Sequence, residues 1–104
     1  MIEAAPVVRD NPQRHRLEID LGDGEFAFAI YELLPGAIRF THTEVPKSHE
    51  GQGLGTAMIE AGLAVARERG LKLIPICPFF RAYLRKHPEA QDLISPQHRH
   101  LLEE

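Results

Sequence analysis

From Arg14 to Leu21 polar and apolar residues roughly alternate, with Leu17, Ile19 and Leu21 on one side, the pattern of a half-buried strand. Gly22-Asp23-Gly24 follows, residues that tolerate positive φ, so a hairpin is predicted. Between Glu25 and Leu34 both alternating sets are apolar: Phe26, Phe28 and Ile30 on one face, Ala27, Ala29, Tyr31 and Leu33 on the other. That predicts a central strand covered on both sides. Pro35-Gly36 makes the next turn. Ala37 to Val45 is a third strand, with Ile38, Phe40, His42 and Glu44 expected to point one way. Three strands joined by short turns make an antiparallel meander. Residues 1–13, with Pro6, Asp10, Asn11 and Pro12, lack such a pattern and read as an arm.

The period changes after Pro46-Lys47-Ser48-His49-Glu50. On a helix Leu54, Ala57, Met58, Ala61, Ala64 and Val65 fall within an arc of roughly 120°, wide enough to cover a sheet. Ile59, Leu63 and Ala66 form a second apolar strip, so the helix is expected to be covered on two sides. Arg67 and Arg69 suit the negative end of its dipole, and Gly70 suits a C-cap. Leu71 to Cys77 reads as a strand interrupted by Pro75, which has no N–H for a ladder and so belongs at an edge or where neighbours part. Pro78 opens a short helix that His87-Pro88 ends. In the tail from Glu89, Leu93, Ile94, Leu101 and Leu102 are the docking candidates. The predicted order is β-β-β-α-β-α, an α/β chain with a mixed sheet. The helical crossover makes the last strand parallel to the third.

Composition narrows the picture. A length of 104 residues gives room for one domain, with 1–13 as its arm and 89–104 as its tail. The formal net charge of -3 gives no global attraction to nucleic acid or to anionic lipid, so any anion site must be local. One cysteine cannot make an internal disulfide, and no long apolar run is present. A reducing, cytoplasmic setting is expected, without membrane or nucleic-acid partners. His98 and His100 lack a Cys or acidic partner at ligand spacing, so no metal site is expected.

The strongest chemical signal is Gly51-Gln52-Gly53-Leu54-Gly55-Thr56 between a strand and a helix. A helix start presents unpaired N–H groups and partial positive charge, and glycines let a diphosphate approach the backbone. A plain flexible turn has the same residues. No Walker lysine and no acid at dinucleotide-fold spacing accompany the glycines, which weighs against those nucleotide classes.

Val45-Pro46, then Glu50-Gly51-Gln52-Gly53-Leu54-Gly55 and an Ala-rich helix, resembles the acetyl-CoA motif of the GNAT (GCN5-related) N-acetyltransferase superfamily. His42-Thr43-Glu44-Val45-Pro46, and Leu73-Ile74-Pro75-Ile76-Cys77-Pro78-Phe79-Phe80 with Tyr83 and His87-Pro88, resemble its small single-domain members over about residues 14–95. The resemblance implies a GNAT fold whose parallel strands splay to admit a pantetheine arm. It implies acetyl-CoA as co-substrate, bound through Val45, Gly51, Gln52, Gly53, Leu54, Gly55 and Thr56. Arg81, with Arg85 and Lys86, forms a basic strip that is either solvated or holds the 3′-phosphate.

Cys77 matches the position proposed to be catalytic in these small members, as acyl carrier or proton donor; the alternative is a small buried hydrophobe. Tyr83 matches a tyrosine able to protonate the leaving thiolate, or is simply interfacial. His42 and Glu44 are candidates to deprotonate an amine, although a structural role for His42 is equally open. Backbone N–H groups near residues 45–46 are expected to meet the developing charge. Two departures stand out. Glu50 occupies the position where the family carries a basic residue or Gln, and is expected to turn away from the phosphates. The chain also lacks the segments that wall the acceptor site in longer relatives, leaving that side open or completed by another molecule, such as a second copy in a homodimer. Two functions follow: an N-acetyltransferase acting on an unidentified amine, or a coenzyme A-binding module that acts as a sensor or partner protein.

Overall fold

The computed structural model describes residues 6–103, in which five strands form one sheet in the order β1-β2-β3-β4-β5. They are β1 (Arg9–Asn11), β2 (Arg16–Asp20), β3 (Phe26–Leu34), β4 (Ala37–Glu44) and β5 (Lys72–Pro75). β1 to β4 run antiparallel, and β5 lies parallel to β4, as the crossover requires. The crossover carries α1 (Leu54–Arg69), and α2 (Pro78–Lys86) follows β5. β1 was not expected. It lies in the segment read as an arm, because three residues between prolines are too few to display a period, and only pairing with β2 makes it a strand.

The core lies on one face of the sheet. Ala27, Ala29 and Tyr31 of β3 are buried there with Ile38 and Phe40, beneath Met58, Ile59 and Ala66 of α1. Phe40 stacks on Phe80 of α2 with ring centroids 4.3 Å apart, and a Cβ on Gly62 would come within 2.8 Å of its ring. Both helices therefore meet Phe40, and Gly62 is the residue that lets α1 come so close.

The other face corrects the expectation for β3. Phe26 is 37% exposed, and Phe28 and Ile30 are only partly covered. Among the described residues no helix lies over them; instead the Arg16 guanidinium sits 4.6 Å from the Phe28 ring centre and 5.8 Å from that of Phe26. An arginine stem and cation–π contact do there what a second helical layer would have done.

A bulge corrects β4. Tyr31 pairs with Phe40 and Ile30 with His42, so Thr41 has no opposite residue. The extra residue rephases the strand. Ile38 and Phe40 stay in the core, whereas His42 and Glu44 turn to the open face opposite Ile30 and Phe28. The tail docks as expected through Leu93, Ile94 and Leu101, and the Ser95 N–H donates to the Leu73 carbonyl at 2.9 Å, covering the β5 edge.

Candidate active site

The β4–β5 ladder ends at the pair Phe40 and Pro75. Pro75 has no N–H, the Ile76 N–H turns back to the Ile74 carbonyl, and the Cys77 N–H makes the last link, to the Phe40 carbonyl at 2.9 Å. Thr41 to Glu44 continue past that point without pairing to β5. Against the far end of β4 lies a groove of about 460 Å³. Thr43, Glu44 and Val45 form one wall, the loop from His49 to Gly53 and the start of α1 another, and Phe79 of α2 closes the side.

The loop earns its glycines in two ways. Gly51 and Gly53 have φ of 84° and 77°, a conformation that side chains disfavour. Gly55 is helical, but a Cβ there would lie 2.1 Å from Cε2 of Phe79, so the ring and the helix share that space. Gly53 caps α1 without a side-chain acceptor. The first amide of the helix bonded to a backbone carbonyl is Ala57, to Gly53 at 3.0 Å. Among the described residues, the N–H groups of Gly51 to Thr56 have no backbone acceptor, and they stand at the positive end of the 16-residue α1. A helix start of this kind is where an anion could be held locally on a chain of net negative charge.

Of the residues singled out from sequence, Val45, Gly51, Gly53, Leu54, Gly55, Thr56 and Glu44 line this groove. Gln52 lines an adjoining recess of about 820 Å³, which shares His49, Gly51 and Leu54 with it. Arg81 is not among the residues of either. Glu50, expected to turn away, is among the lining residues, so a negative charge remains at this end. Pro46 has no N–H, which leaves Val45 as the backbone donor in that pair.

Cys77 and Tyr83 are not brought together. Cys77 is 3% exposed and stands behind the groove wall, its Sγ 3.4 Å from the Thr43 Oγ1. Tyr83 donates its hydroxyl to Glu60 of α1 at 3.2 Å, stacks on His87, and lines a recess between the helices that adjoins the groove at Thr56 and Phe79. Burial first, and then the Glu60 carboxylate, push the Tyr83 phenol up from its ordinary value. His42 and Glu44 sit side by side at 3.4 Å on the open face, each more than half exposed.

Three features escaped sequence reasoning. Thr43 is the hydroxyl between groove and thiol. Phe79 is the ring over Gly55. The third is His49, whose Nε2 lies 2.9 Å from Asp23 Oδ2 at the tip of the β2–β3 hairpin, while Ser48 donates to Glu25 at 3.2 Å. Asp23, Glu25 and His49 hold their donor atoms within 4.8 Å of one another. Only the charged turn Asp23-Gly24-Glu25 hinted at a partner, and nothing in the sequence says which.

The sequence pattern of the GCN5-related N-acetyl-transferase family matches residues 14–93. The chain belongs to this family. Among solved structures, that of a GCN5-like protein from Staphylococcus aureus, determined in solution by NMR, is similar. It is 27% identical, with a TM-score of 0.66, over 90% of this chain and 95% of the other. No curated protein matches the chain. For a GCN5-related acetyltransferase, the mixed sheet with one parallel pair that separates beside a glycine-opened helix is the expected frame. Among the described residues, no helix is long and apolar enough to cross a membrane.

Proposed function

We propose that the protein is an N-acetyltransferase that moves the acetyl group of acetyl-CoA to an amine. The observation that carries this reading is the groove where β4 leaves β5, placed against the uncapped start of α1. The diphosphate lies over the amides of Gly51 to Thr56, and the pantetheine arm runs along Thr43 and Val45 toward the parting of the strands. The amine nitrogen attacks the thioester carbonyl carbon, the Val45 N–H supports the oxyanion, and the carbon–sulfur bond breaks. The ammonium proton leaves toward the His42–Glu44 pair on the open face. The departing sulfur takes a proton from Cys77 through Thr43, the two being 3.4 Å apart. The engagement of the Tyr83 hydroxyl with Glu60 favours Cys77 over Tyr83 for this step.

Glu50 at the phosphate end supports a second reading, a coenzyme A-binding module without turnover. Calorimetry with coenzyme A and an acetyl-CoA consumption screen against amines separate the two. Binding with amine-dependent release of thiol supports the enzyme, and binding without release supports the module. Mass spectrometry after acetyl-CoA alone tests the route: an acetyl adduct that Cys77→Ser removes would make Cys77 a covalent carrier instead of a proton donor.

A further inference from the structure

We propose that His49 supplies the cation of the phosphate end of the groove, held in place by Asp23, and so replaces the basic residue that Glu50 displaces. The inference rests on the coenzyme A reading of the groove. His49 closes the single 3-10 turn Lys47–His49 immediately before the glycine loop, and it lines both the groove and the adjoining recess. Its Nε2 bonds to Asp23 at 2.9 Å, which ties the loop to the β2–β3 hairpin and holds the ring of a residue that lines the groove together with Gly51 and Gly53. The charged imidazole neutralises Asp23, so the carboxylates at this end weigh less against a phosphate than they would beside a neutral ring, and the backbone donors are left to hold it.

The surroundings favour the charged imidazole. Asp23 and Glu25 face it from the hairpin, Glu50 follows it in the chain, and Asp20 lines the shared recess. The cations nearby are Lys47 in its own turn and Arg9 in the recess. The hydrogen bond from Asp23 comes first among the causes that raise the His49 pKa, and Gln52 adds to it. A group with a raised pKa keeps its proton below that value and loses it as pH rises through it, so phosphate affinity is highest on the acid side.

Dephospho-coenzyme A is the suitable probe, since it keeps the diphosphate but lacks the 3′-phosphate, whose own ionisation near pH ~6 would confuse the profile. Its dissociation constant is measured by calorimetry between about pH 5.5 and 8.5, the window of histidine titration. The wild-type protein binds on the order of tenfold more weakly at the alkaline end, as a charge-assisted contact is lost. His49→Gln shows the weak value throughout and no slope. His49→Arg keeps tight binding at every pH, which also shows that the loop tolerates substitution. Asp23→Asn moves the fall to lower pH, and NMR of the His49 ring follows the same midpoint without ligand. A flat wild-type profile, or tight binding by His49→Gln, overturns the assignment while leaving the coenzyme reading intact. Failure of the wild-type protein to bind coenzyme A or dephospho-coenzyme A at any pH overturns both.

Discussion

The two halves of β4 do opposite work within eight residues. From Ala37 to Phe40 the strand is paired on both edges, and its core-facing side chains lie under both helices. From Thr41 to Glu44 it is paired only with β3, its phase is reversed by the bulge, and its outer edge faces the groove. The first half is held by area and close packing. The second half leaves its outer edge unpaired with β5 and borders the groove. The transition is made by Thr41 on one strand and Pro75 on the other, so one extra residue and one absent N–H separate stability from function.

The sharpest way to break the comparison is at Phe40, fully buried and stacked on Phe80. Phe40→Ala is expected to cost about 3–5 kcal/mol, read as a lowered urea midpoint at unchanged slope. A loss below about 1 kcal/mol would mean that the paired half is not the anchor.

Gly55→Ala probes the other half. The new Cβ would meet the Phe79 ring, but that ring is 44% exposed and can swing aside. Unfolding free energy is expected to stay within about 1 kcal/mol, helped by helix propensity. Coenzyme A affinity is expected to fall by about tenfold or more, equivalent to about 1.4 kcal/mol. Unchanged affinity in calorimetry would remove Phe79 from the groove wall.

Tyr31 tests whether the closed side extends to β1. Its hydroxyl donates to Asp10 at 2.5 Å, and Arg69 at the end of α1 holds the same carboxylate at 3.2 Å. Tyr31→Phe is expected to cost about 1–2 kcal/mol by leaving Asp10 with one partner fewer. Burial first, then Asp10, keep the phenol neutral, pushed up to about 12 from 10.0. That contribution is complete below pH 10.0 and is lost as pH climbs toward 12. The alkaline decline in stability between those values is expected to be shallower in Tyr31→Phe, and an identical decline would refute the assignment.

The smallest effect belongs to Arg67 and Asp92, an exposed pair at 3.2 Å between α1 and the tail. Arg67→Ala is expected to change stability by no more than about 0.5 kcal/mol, since Leu93, Ile94 and Leu101 already dock the tail through buried contacts. A larger shift in the thermal midpoint would show that charge, and not apolar burial, holds it.

Sequence by itself determined what short-range patterns can carry. Alternation specified the meander from Arg16 to Glu44, helical spacing specified α1, and Gly70 its end. The crossover rule specified the parallel strand, and Pro75 its parting from β4. The glycine spacing placed the loop with positive φ at the start of α1, because backbone conformation there depends on residues adjacent in the chain. Tertiary structure decided whatever depended on partners distant in sequence. Coverage of Phe26 and Phe28 hung on Arg16 finding their rings across the sheet. The face taken by His42 and Glu44 hung on a bulge, which shows no mark in the alternation because the residues on both sides of Thr41 remain good strand formers. The separation of Tyr83 from Cys77 hung on Glu60 of α1 lying within reach of the phenol. The Asp23–His49 bridge joins residues 26 positions apart, and no local pattern encodes which of six histidines a hairpin tip will meet once the sheet has formed.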